Sequence, residues 1–199
     1  MAGDVYKTIA AVSEGYITEQ RSKFISYALP VRTPEEVKEK IDAFRKQYYD
    51  ARHVCWAYML GVERMQFRVN DDGEPSSTAG KPILRVINSH GLSNVLIVVI
   101  RYFGGIKLGT SGLIVAYHAA AWDAIANAEI IEKTVDESLS IEFTYPFLND
   151  VMKIVKEINP QILTQKFEMN CEMTLQIRRS EMEKLKSRLL KVESLRVSG

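Results

Sequence analysis

Little in this chain of 199 residues points to the cell exterior or to a membrane. Cysteine occurs only at Cys55 and Cys171. Two thiols so far apart exclude a disulfide framework and fit a reducing compartment, so a cytoplasmic location is expected. The unbroken apolar runs, Val95–Ile100 among them, are far short of the roughly 20 residues a membrane helix needs. The opening Met-Ala-Gly-Asp-Val-Tyr-Lys lacks the apolar stretch of a secretory leader. Histidine is scarce: His53, His90 and His118 show no metal-ligand spacing, so no metal or cofactor is expected. An excess of either charge is missing too. The formal net charge is +1, and residues 1–135 and 136–199 are each balanced. A nucleic-acid partner would have to be attracted by a local patch rather than by a global field.

What is present reads as an ordinary globular α+β protein, 46% hydrophobic and 26% charged. Strands are expected at Tyr6–Val12, Phe24–Val31, His53–Leu60, Met65–Val69 and Asn94–Arg101. The last has apolar residues on both faces and should be central. Thr33-Pro34-Glu35-Glu36 opens a helix with a capping box, and Val37, Ile41, Phe44 and Tyr48 form its apolar stripe. A second helix runs from a Thr78 cap to about Asn88, and a third, rich in alanine, from about Ser111 to Ala128. From about residue 136 the order becomes β-α-β-β-α-β, the pattern of a ferredoxin-like sandwich. Its strands centre on Leu139–Phe143, Ile162–Phe167, Cys171–Ile177 and Val192–Val197. A helix carries Val151, Ile154 and Val155, and a Ser180/Glu183 capping box starts the other. Two domains, 1–135 and 136–199, are expected.

Two segments concentrate functional chemistry. Arg101-Tyr102-Phe103-Gly104-Gly105-Ile106-Lys107-Leu108-Gly109-Thr110-Ser111-Gly112 leaves a buried strand and enters a helix. Unpaired N–H groups at a helix start, glycines that admit close approach, the Thr110 and Ser111 hydroxyls, and the Arg101 and Lys107 charges all suit an anion. The spacing is neither a P-loop nor a dinucleotide fingerprint. Local pattern leaves a purely geometric strand–helix connection equally open. Asp71-Asp72-Gly73-Glu74 gathers three carboxylates in a turn, suited to a hard metal, to a general base or simply to solvent. His53 and Cys55 share a strand face, with His53 read as partly buried. Tyr102 could stack on bases, and Phe103 is expected to pack under the sheet.

Three stretches together resemble the YigZ/IMPACT family: Arg52–Ala57, Asp71–Pro82 and Arg101–Gly109, in matching order and spacing, with Ser22-Lys23-Phe24 fitting the family's opening. The likeness covers about residues 15–130. It implies a first domain folded like the second domain of a small-subunit ribosomal protein, as also seen in elongation factor G. It implies a ferredoxin-like second domain similar to the last domain of that factor. Eukaryotic members regulate translation through an additional N-terminal domain, for which 199 residues leave no room. Two positions depart from the family pattern: Ser77 stands where glycine is usual, and Thr110-Ser111 replaces a small pair.

The expected function is therefore binding of RNA or a ribosome-associated factor through Arg101, Tyr102, Gly104, Gly105, Lys107, Gly109, Thr110 and Ser111, with Thr78 and Lys81 from the acidic loop. A rival is a hydrolase or phosphotransferase using His53, Asp72, Glu74 and Ser111 around the same loop. That reading requires His53, Glu74 and Ser111 to converge. A third is a protein-interaction module, which an exposed apolar sheet face on the second domain would support. The residues leave the oligomeric state open.

Overall fold

A computed structural model of the chain describes residues 3–198. It divides into two compact units, Tyr6–Lys133 on one hand and Met1–Val5 with Thr134–Gly199 on the other. The α+β class expected from the sequence is the class adopted.

The larger unit holds β1 (Val5–Ile9), β2 (Ser13–Glu19), β3 (Ser22–Pro30), α1 (Pro34–Gln47), β4 (His53–Leu60), β5 (Gln66–Asn70), α2 (Gly80–Ser89), β6 (Val95–Tyr102), α3 (Gly109–Ala126) and β7 (Ile130–Thr134). Five strands form an antiparallel sheet in the order β2-β3-β6-β4-β5, while β1 and β7 pair separately. The central β6 has helices over both faces. Val95, Ile97 and Val99 join the core beneath α2 and α3, and Leu96, Val98 and Ile100 join the core beneath α1. This alternation continues into the strand end, so Arg101 falls on the α2/α3 side and Tyr102 on the α1 side.

Local chemistry explains most boundaries. The Thr33 hydroxyl accepts from the Glu36 N–H at 3.2 Å, and Pro34 occupies the first turn of α1. The reciprocal arm differs from the expected box: Glu36 accepts from the Arg32 N–H at 2.7 Å, one residue outside it. The strand expected at Tyr6–Val12 ends at Ile9, and a strand that was not expected, β2, follows it and pairs with β3. Their hairpin closes through Gln20 and Arg21 at φ of 44° and 66°. A tight turn with two left-handed residues usually contains glycine or asparagine, and the absence of both hid this hairpin. The helix expected from a Thr78 cap begins at Gly80 instead. Thr78 donates to the Pro75 carbonyl at 2.6 Å, and the Asp71 carboxylate takes over the capping, accepting from the N–H groups of Ser77, Ala79 and Gly80. On the edge strand β5, Phe67 is exposed and so is the preceding Met65, while Val69 packs against the core.

The smaller unit runs β8 (Asp136–Thr144), α4 (Leu148–Ile158), β9 (Gln161–Lys166), β10 (Asn170–Arg178), α5 (Arg179–Leu189) and β11 (Arg196–Ser198), with antiparallel sheet order β11-β8-β10-β9. Register places Leu139, Ile141 and Phe143 opposite Leu175, Met173 and Cys171, and these six form one buried face with α4 and α5. The alternate residues, among them Ser138, Ser140, Glu142, Glu172, Thr174 and Gln176, make the other face polar. The exposed apolar sheet that a docking module would need is therefore not present on β8 and β10, whereas Ile162 and Leu163 of β9 are exposed. No side chain caps α5, so the Ser180/Glu183 box expected there is not formed.

Candidate functional site

The sheet register builds the site. His53 on β4 lies opposite Arg101 on β6, and Arg101 lies opposite Phe24 on β3. The three side chains form a row on the α2/α3 face. The acidic turn after β5 folds over one end of this row, and the glycine-rich segment leaves from the other.

Glu74 is the pivot. Its side chain is 4% exposed. Oε1 accepts from an Arg101 guanidinium nitrogen at 2.6 Å and from the Tyr117 hydroxyl at 2.7 Å. Arg101 also donates to Ser22 Oγ at 3.3 Å, and its guanidinium lies 5.5 Å from the ring centroids of both Phe24 and Phe103. A buried carboxylate demands such compensation. Burial pushes the Tyr117 phenol far above its usual range, and the partners Cys55 and Glu74 add to this. Burial likewise raises the Cys55 thiol, which outweighs the lowering effect of its hydrogen bond with Tyr117. Cys55 is therefore a protonated core residue.

His53 stands beside Glu74. Its Nδ1 is 2.7 Å from the Asp72 carbonyl oxygen. A carbonyl only accepts, so Nδ1 carries a proton, and in a neutral imidazole Nε2 is then the acceptor. Nε2 lies 3.8 Å from Glu74 Oε2. Asp72 itself is committed to structure: its carboxylate accepts from the Val54 N–H at 2.7 Å and from Arg45 at 3.2 Å. These bonds engage the carboxylate that the rival enzyme reading would use. Among the described residues no group of three or more His, Cys, Asp or Glu is placed to hold a metal ion.

A cleft of about 430 Å³ opens over this row, lined by residues that include His53, Glu74, Arg101, Phe103, Lys107 and Thr110. Arg52 and the start of α3 at Gly109 also border it. Leu108 stands before α3 without a side-chain cap, and Thr110 and Ser111 lie within the helix's first turn. Arg52 and Lys107 are exposed, and neither pairs with a carboxylate among the described residues. Phe103 is 43% exposed at the cleft rather than packed beneath the sheet.

The remaining sequence candidates are placed differently. Arg101, expected as a phosphate ligand, is 5% exposed and already neutralised by Glu74. Tyr102 projects to the opposite sheet face and donates to Asp50 at 2.8 Å. Burial, and then this bond, pushes its phenol up to about 12. Thr78 is 3% exposed. Lys81 and Ser111 are exposed but do not line the cleft. The convergence required of a Ser111-based enzyme is thus half met: His53 and Glu74 adjoin, and Ser111 stands apart. Gly104 serves packing, since a Cβ there would lie 2.1 Å from the Arg21 carbonyl carbon. Gly105 and Gly109 hold left-handed φ of 87° and 71°. Sequence reasoning overlooked Tyr117 and Ser22 as site partners. Ser22 was legible only as part of the family's opening, and Tyr117 only as a residue of the alanine-rich helix.

Residues 20–125 match the Impact N-terminal domain family model. IMPACT family member YvyE of Bacillus subtilis is 36% identical over 152 residues, spanning 76% of this chain and 70% of the relative. IMPACT family member YigZ of Escherichia coli is 30% identical over 151 residues, spanning 75% and 74%. A crystal structure described only as a hypothetical protein superposes with a TM-score of 0.75 at 26% identity, covering 98% of this chain and 97% of that one. The chain belongs to the IMPACT family. No helix among the described residues is long and apolar enough to cross a membrane.

Proposed function

We propose that this protein binds single-stranded RNA, in the setting of translation that the family resemblance implies. One observation carries the reading: two unpaired cations, an exposed aromatic ring and an uncapped helix start converge on a single cleft. Arg52 and Lys107 supply charge for phosphate. The N–H groups opening α3 supply directional donors with a favourable dipole. Phe103 offers a face for a base, and its ring is held by the Arg101 guanidinium. Gly105, Gly109 and Thr110 shape the approach, while Arg101 and Gly104 act from beneath. We read the units on either side of residue 135 as separate domains. The β11-β8-β10-β9 order supports a ferredoxin-like sandwich for the second.

The test is binding of labelled short RNA, single-stranded DNA and duplex DNA across a salt series. Lys107→Ala and Arg52→Ala should each weaken RNA binding and reduce the salt slope by about one. An unchanged slope in both variants would remove the phosphate-facing role. Absence of binding at low salt would remove the RNA reading itself.

A further inference from the structure

The cleft floor contains two acceptors with no donor between them. The Asp72 carbonyl holds a His53 proton on Nδ1, so Nε2 is the acceptor of the neutral imidazole. Glu74 receives both of its hydrogen bonds on Oε1. Its Oε2 receives none among the described residues and faces His53 Nε2 at 3.8 Å. That separation is too long for a direct hydrogen bond. Glu74 is nearly inaccessible, yet it belongs to the cleft wall together with His53 and Phe103. Both atoms reach the cleft, where a ligand that brings donors to both would replace water.

Because this builds on the RNA reading, the donors are sought on a base. The Watson–Crick edge of guanine places N1–H and the N2 amino group side by side. Adenine and cytosine each offer one amino group next to a ring acceptor, and uracil offers a single N–H between two carbonyls. An acceptor pair therefore matches guanine and is opposed by a ring nitrogen or carbonyl at the same place. Phe103 supplies the stacking face on which single-stranded RNA bases are commonly held. The cleft volume lies within the range of small-ligand sites, about 300–1,000 Å³.

We propose that His53 Nε2 and Glu74 Oε2 form a base-reading subsite that selects guanine within RNA bound at this cleft. Arg101 and Tyr117 are positioning residues that fix Glu74 so that Oε2 remains directed to the ligand. The subsite reads the base, whereas Lys107 and Arg52 read the backbone.

The full chain is titrated with labelled heptamers of uridine carrying one central guanosine, inosine, adenosine or cytidine. Guanosine should bind roughly ten-fold tighter than uridine, the discrimination expected of a good paired contact. Inosine, which lacks the N2 amino group, should lose most of that gain. His53→Ala should bring the guanosine and uridine oligomers within about two-fold of each other while leaving the salt slope unchanged. The inosine comparison needs no protein variant, so a folding defect cannot obscure the result. Salt-dependent RNA binding with equal affinity for all central bases would overturn the guanine subsite and leave the RNA reading standing. Absence of binding to any oligomer would overturn both.

Discussion

Replacing Arg101 by alanine separates the two roles the sequence allowed it. The structure places its guanidinium 2.6 Å from Glu74 Oε1, with the side chains 6% and 4% exposed, and between two aromatic rings. Removing it leaves a nearly buried carboxylate held by Tyr117 alone. Breaking a buried pair on one side costs about 3–5 kcal/mol. With a urea dependence of about 1–3 kcal/mol/M for small proteins, the unfolding midpoint should fall by about 2 M. Arg101→Met combined with Glu74→Leu removes both charges and should recover much of this loss, because apolar replacements of a buried pair are often neutral. Urea melts of both variants, followed by tryptophan fluorescence, measure the difference. A loss below about 1 kcal/mol for Arg101→Ala, together with a salt slope for RNA lowered by about one, would refute the structural role and restore Arg101 as a phosphate contact.

Three further outcomes follow from local geometry. Gly104→Ala should destabilise by about 2 kcal/mol or more in the same melts, since its Cβ would meet Arg21 and Ser22 backbone atoms at 2.1–2.5 Å; an unchanged midpoint would show that the β2–β3 turn can yield. Ser77→Gly should stabilise by up to about 1 kcal/mol, because Ser77 sits at φ 67°, a conformation that disfavours a Cβ; thermal melting checks this, and a lower Tm would refute it. Stability should decline in alkali: burial raises the Cys55 and Tyr117 pKa values in the folded state, so the folded chain retains protons that the unfolded chain releases. That contribution is whole below about pH 8.5 and is lost at about 1.4 kcal/mol per pH unit per group as pH rises through each group's unfolded value towards its folded one. Urea melts from pH 8 to 10.5 test it, with Cys55→Ala removing the earlier part of the decline and a flat profile contradicting it.

The sequence by itself determined whatever depends on neighbours along the chain. Thr33-Pro34 fixed the start of α1 through one hydroxyl and one locked φ. Strict alternation in β8 and β10 fixed a half-buried sheet, and the unbroken apolar run of β6 fixed its central place. The motif stretches identified the family. The Gln20–Arg21 hairpin was not legible, because left-handed backbone is held there by residues that rarely adopt it. Tertiary structure alone decided which charges are available. Arg101 and Lys107 look equivalent as two cations in one glycine-rich segment. Strand register turns Arg101 inward onto Glu74, 27 residues earlier in the chain, while Lys107 remains in the loop, exposed and unpaired. In the same way, Asp71 and Asp72 became a helix cap and a strand tie, and Glu74 became the buried centre of the site. Periodicity reports which face a residue occupies, but the partner that neutralises a charge is set by how distant strands and turns are brought together.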